Sequence, residues 1–137
     1  MKNIYKVAVI IAGIQLSSCS MLVFNKPNNF LINEIVIHNS SNIMLEKAQL
    51  KVSKGNGLFS CSNIIPHTAC STSFPVRPYG GNWVKISWQR NGKEISTENI
   101  HIPVDNEITA GSVMRGIIEI QSKDKYRAYF KEQTRSF

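Results

Sequence analysis

Trp83-Val84-Lys85-Ile86-Ser87-Trp88-Gln89-Arg90-Asn91-Gly92-Lys93 is the stretch whose reading decides the fold class. Val84, Ile86 and Trp88 alternate with Lys85, Ser87 and Gln89. A period of two places one set on each side of an extended chain, so the stretch predicts a half-buried strand with Trp88 pointing inward. The Asn91-Gly92 dipeptide that follows is the pair favoured in two-residue hairpin loops, because both residues tolerate positive φ. A return strand is therefore expected through Ile95 and Thr97 toward Ile102, and Pro103 stops it.

Working outward, the same grammar repeats. Phe30 to Asn39 has a β-branched Ile35-Val36-Ile37 centre and ends in the turn formers His38-Asn39-Ser40-Ser41-Asn42. Ala48, Leu50 and Val52 alternate with Gln49, Lys51 and Ser53; before them, Ile43 to Lys47 reads either as the start of that strand or as a helical turn. Lys54-Gly55-Asn56-Gly57 is a tight turn, Leu58 to Cys61 is strand-like, and Pro66 discourages pairing in the loop Ile64 to Ala69. Ser71 to Phe74 resumes an extended path until Pro75, Pro78, Gly80 and Gly81 interrupt it. Val113 to Gln121 is a strand with Ile118 and Ile120 on one face, and Tyr126, Ala128 and Phe130 alternate in a last one. Apolar residues nowhere recur at helical spacing over a long stretch. Short strands between turn clusters predict an all-β chain folded as an antiparallel two-sheet β-sandwich, of immunoglobulin-like or transthyretin-like architecture. The Val84-x-Ile86-x-Trp88 strand before an Asn-Gly turn resembles the tryptophan-bearing strand of immunoglobulin-like and fibronectin-like domains. Cys61 and Cys70 are close together and both precede the tryptophan, unlike the distant cysteines of an immunoglobulin domain, so the likeness extends to architecture and not to that family.

The N-terminus carries a different signal. Lys2 and Lys6 precede the apolar run Val7 to Ile14, and the small residues Ser17 and Ser18 follow. That is the order of a secretory signal, and the run is much shorter than the ~20 residues that span a bilayer. Leu16-Ser17-Ser18-Cys19 resembles the lipobox of bacterial lipoproteins, and the resemblance covers Met1 to Ser20. It implies that the Cys19 thiol receives a diacylglyceryl group and that the signal is cut just before it. Ser20 in the next position implies transport to the outer membrane, facing the periplasm. The expected organisation is a signal peptide over 1–18, a lipidated N-terminus and tether over 19–29, a sandwich domain over 30–131 and a fraying tail over 132–137. Met21 to Phe24 reads as a short first strand or as a segment against the membrane, and Asn25 to Asn29 as the tether.

The chain of 137 residues has a formal charge of +7, and loss of Lys2 and Lys6 leaves +5. A little under 120 residues suits one domain. The basic residues are dispersed and no recognition motif occurs, so nucleic acid is not an expected partner; membrane lipid, through acylated Cys19, and a protein of the cell envelope are. Of three cysteines, the lipobox resemblance assigns Cys19 to lipid, which leaves Cys61 and Cys70 as a pair that an oxidising periplasm would join as a disulfide. The rival reading, a metal held by Cys61-x5-His67-x2-Cys70, lacks a fourth ligand and the paired spacing of zinc sites.

Catalytic constellations are absent from the sequence. His38, His67 and His101 are scattered, no G-x-S-x-G elbow or D-x-D cluster occurs, and Gly55-Asn56-Gly57 lacks the lysine of a phosphate loop. No cofactor or metal is expected. Tyr79 and Trp83 flank Gly80-Gly81 and are either a candidate binding surface or packing over the sandwich end. The expected function is a non-enzymatic binding, accessory or assembly module anchored in the envelope. The alternative is a small periplasmic enzyme or ligand-binding protein whose site forms only in three dimensions. The anchor has a direct test: Cys19→Ser abolishes palmitate incorporation and leaves the precursor uncut, whereas continued labelling of that variant removes the lipobox reading.

Overall fold

The computed structural model describes residues 30–134; Cys19, the signal segment and the tether lie outside the described residues. Eight strands follow in order: β1 (Leu31–Asn39), β2 (Leu45–Val52), β3 (Leu58–Ile64), β4 (Ala69–Pro78), β5 (Val84–Arg90), β6 (Lys93–Ser96), β7 (Val113–Ile120) and β8 (Tyr126–Glu132). They form two four-stranded sheets, β4-β1-β7-β8 and β3-β2-β5-β6, stacked as a sandwich. The described residues contain no helix, so the open stretch before Ala48 resolves as strand from Leu45 onward.

The deciding strand behaves as its alternation requires. Val84, Ile86 and Trp88 are buried, while Lys85 between them is exposed. Asn91 and Gly92 take φ of 50° and 72°, the two positive values that fold β5 back onto β6 with Arg90 opposite Lys93. β6 is shorter than expected, but the chain stays attached beyond it. Thr97 N donates to Ile86 O at 2.8 Å, Ile86 N donates to Thr97 Oγ1 at 3.1 Å, and Ile100 bridges Val84.

One pairing departs from the expected antiparallel sheets. β1 runs parallel to β7, from Leu31 beside Val113 to Asn39 beside Ile120. Tight turns impose antiparallel pairing only on neighbours in sequence, and these two strands are separated by most of the domain. β4 also extends past its expected break. Ser73 pairs with Glu34 and Arg77 with Ile32, so Phe74, Pro75 and Val76 bulge out opposite Asn33. A bulge accommodates a proline that the regular ladder would reject. At the other margin β8 ends at Glu132, and Gln133 N donates to Val113 O at 3.0 Å. The strand thus runs past the expected boundary at 131.

The core is the interleaved inner faces: Ile37, Ile118 and Ile120 from one sheet, Ala48, Leu50, Ile86 and Trp88 from the other, with Leu45, Ile64 and Ile102 at the margins. Burying each large aliphatic side chain contributes about 1.5–3 kcal/mol. Ile64 breaks the period of β3, for it is buried three residues after buried Cys61; Asn63 between them, at φ 52°, turns the strand. At Gly116 a Cβ would meet Ile35 Cδ1 at 2.8 Å, so a larger residue there would push the end of that side chain aside. Phe130, the cross-strand partner of Gly116, helps cover the bare backbone.

Trp88 is 2% exposed and its indole Nε1 donates to Lys123 O at 3.2 Å. Trp88→Ala should therefore destabilise the fold by about 3–5 kcal/mol in chemical denaturation. Lys85→Ala should stay within about 0.5 kcal/mol, and equal losses would contradict the assigned faces.

Candidate functional site

Cys61 and Cys70 are joined, with Cα atoms 6.4 Å apart, inside the ordinary disulfide range. Their placement gives the bond its meaning. β3 and β4 are edge strands of opposite sheets, so the crosslink closes one flank of the sandwich. The intervening loop reverses at His67, which adopts a φ of 60°. His67 N donates to Asn39 O at 2.7 Å, and its ring Nε2 is hydrogen-bonded to Asn42 Oδ1 at 3.1 Å. With each sulfur bonded to the other, the Cys-His-Cys spacing is that of a crosslinked turn.

Tyr79 and Trp83 both stand where β1 begins and β2 ends, but in different settings. Tyr79 N donates to Phe30 O, and its ring lies 4.9 Å from Phe30 and 4.7 Å from Phe130. Phe30 and Phe130 are themselves 4.9 Å apart, so the three rings form a closed cluster over the sandwich end. Burial raises the Tyr79 phenol above its ordinary value of 10.0. The sign follows from linkage: stability is intact below that value and falls as pH rises from it toward the folded value. Trp83 instead is 50% exposed and lies against the His101 ring at 3.6 Å between centroids. The structure thus packs Tyr79 and leaves Trp83 as the accessible aromatic of the pair.

The four sheet edges differ in ways that matter for binding. β6 has four residues, two of them charged. β8 carries Arg127, Lys131 and Glu132, and β4 carries Pro75, Arg77 and Pro78. Those are the devices that blunt an edge against further pairing. β3, Leu-Phe-Ser-Cys-Ser-Asn-Ile over seven residues, has neither charge nor proline. Its outward side chains Ser60 and Ser62 are exposed, and Leu58 at its start is 59% exposed. Sequence reading missed this edge because strand order, not composition, exposes it.

The outer faces also contrast. On the β1 sheet, Arg115 pairs with Glu34 at 3.4 Å and Arg127 with Glu119 at 3.9 Å. On the β2 sheet, Lys51 stands opposite both Leu58 and Lys85, with Lys47 further along. Among the described residues no ion pair forms on that second face, which is left cationic beside β3.

No family model matches the chain, and no curated protein matches it either. A solved NMR structure of a protein from Eubacterium rectale is similar over 76% of this chain and 91% of its own, with 11% identity and a TM-score of 0.43.

Closing a loop of this length should contribute about 2.5–3 kcal/mol. Mass spectrometry under non-reducing conditions should find Cys61 and Cys70 in one linked peptide. The double variant Cys61→Ser with Cys70→Ser should melt at a lower temperature; an unchanged melting temperature would show that the flank holds without the bond.

Proposed function

We propose that the protein is a lipid-anchored module of the cell envelope, held at the outer membrane on its periplasmic side through acylated Cys19. In this reading it is not an enzyme, and it holds a partner protein by adding a strand of that partner to β3. The observation that carries the reading is the bare β3 edge. It offers a row of backbone donors and acceptors over seven residues, where the other three edges are short, charged or interrupted by proline. Main-chain pairing would supply the affinity, and the alternate side-chain positions beside Leu58, Ser60 and Ser62 would supply selectivity. The disulfide suits such a role because it fixes β3 against β4 before a partner arrives, so less ordering is left to be done on binding. The adjacent lysines favour partner segments that carry acidic residues.

A photoreactive residue at Ser60 should crosslink a discrete partner in intact cells, and one at Lys131 on the β8 edge should not. Adding Ser62→Lys should remove the Ser60 adduct while the melting temperature holds, because Ser62 is exposed. Adducts of equal yield at both edges would remove β3 as the docking strand.

A further inference from the structure

At the end of the sandwich where β1 finishes, the β5–β6 hairpin and the turn between β7 and β8 stand side by side. A depression of about 190 Å³ lies there, lined by Arg90, Asn91, Lys93, Ile95 and Lys123. Arg90 and Lys93 close the β5–β6 hairpin, and Lys123 comes from the turn between β7 and β8 in the opposite sheet. Three of the five lining side chains are therefore cationic, and none is acidic. We propose that this depression is a binding site for a phosphate group, separate from strand capture at β3.

Three observations converge on it. The first is register: Arg90 and Lys93 are direct cross-strand partners. Like charges in that position destabilise a sheet, and neither ion pair among the described residues involves them or Lys123. The Glu46 carboxylate does reach this hairpin, but it accepts the Gly92 N–H at 3.0 Å and does not line the depression. Within the depression itself the like-charge pair has no acidic neighbour, an arrangement that an incoming anion would relieve.

The second observation is rigidity. Trp88, one of the largest fully buried side chains, donates its indole N–H to the Lys123 carbonyl at 3.2 Å. That bond fixes the β7–β8 turn against the strand that carries Arg90. The positive φ values of Asn91 and Gly92 set the hairpin on the other side. The cations therefore stand on two fixed supports, and a ligand has little backbone left to order.

The third is size and lining. The volume is below the roughly 300 Å³ at which drug-sized pockets begin. It admits a compact anion or a small headgroup. The guanidinium of Arg90 supplies a planar fork suited to phosphate oxygens, the two ammonium groups add point charges, and the Asn91 amide adds a neutral donor. Ile95 provides one apolar wall, which suits a phosphate ester as well as the free ion.

The test uses the full-length protein in a neutral detergent, followed by amide and indole NMR at constant ionic strength. Inorganic phosphate and glycerophosphoglycerol, the soluble headgroup of an anionic phospholipid, are titrated against chloride. Saturable shifts are expected at Gly92, Ile95, Lys123 and the Trp88 indole. Arg90→Gln with Lys123→Gln should weaken binding about tenfold or more, while Lys51→Gln with Lys85→Gln on the outer face should leave it unchanged. Lys93→Glu should abolish binding and raise the melting temperature, since it turns a like-charge pair into an opposite one. Tighter binding of the diester identifies a lipid headgroup as the source, and tighter binding of the inorganic ion identifies free phosphate. Shifts that never saturate, or that survive the Arg90 and Lys123 changes, overturn the proposal.

Discussion

The fold depends on one buried amide. Asn39 is fully excluded from solvent, and its side chain uses every donor and acceptor it has. Nδ2 donates to Ile43 O at 2.9 Å and to Ile64 O at 2.8 Å; Oδ1 accepts from Ser41 N at 3.0 Å and from Ser41 Oγ at 2.7 Å. Its backbone donates to Thr68 O and accepts from His67 N. One residue thereby ties the end of β1, the crossing to β2, the end of β3 and the β3–β4 turn. A polar group in an apolar core is costly when unpartnered, by about 1–3 kcal/mol for each group left unsatisfied. The network therefore specifies one arrangement of four chain segments, where apolar packing alone would tolerate several. The disulfide lies just beyond it on the same flank, and both constraints act where the chain passes from one sheet to the other.

Much of this was legible in the sequence, for reasons that particular residues make plain. The alternation Val84, Ile86, Trp88 identifies a strand and its inner face because side-chain direction is a local property. Asn91-Gly92 identifies its hairpin because positive φ is a local property too. Reading Cys61 and Cys70 as a pair rests on the lipobox resemblance, which sets Cys19 aside, and the structure joins the two. Asn39 could not be read as core, because an asparagine after a strand is ordinarily a turn residue, and its partners Ile43 and Ile64 become partners only in three dimensions. The parallel alignment of β1 with β7 was invisible for the same reason. A proline ordinarily stops a strand, so the sequence predicts an end to β4 at Phe74; Pro75 instead sits in a bulge.

The candidate sites divide in the same way. Cys61 and Cys70 lie nine residues apart and are joined across the edges of the two sheets. Tyr79 and Trp83 look alike in the sequence as aromatics flanking a turn, yet burial separates them: one ring completes a cluster, and the other is half-exposed against His101. The convergence of Arg90 and Lys93 with Lys123 spans two sheets. Its one sequence clue is that two cations flank Asn91-Gly92 in hairpin register, a position where an opposite-charge pair would stabilise the turn. The bare β3 edge had no local clue, since seven uncharged residues look the same in the middle of a sheet.

The parallel pairing of β1 has a mechanical side. β1 lies inside its sheet, with β4 on one side and β7 on the other, and it is the first strand among the described residues. Tension arriving from a membrane anchor would enter the domain at Leu31 and run along the strand axis. Its hydrogen bonds to β4 and β7 cross that axis, so the load would be shared by both ladders in shear and could not peel them one bond at a time. An N-terminal strand placed at a sheet edge and pulled from its free end would unzip. Under the proposed anchoring, the strand that takes up the load is held by a neighbour on each side, where a strand at a sheet edge would have one.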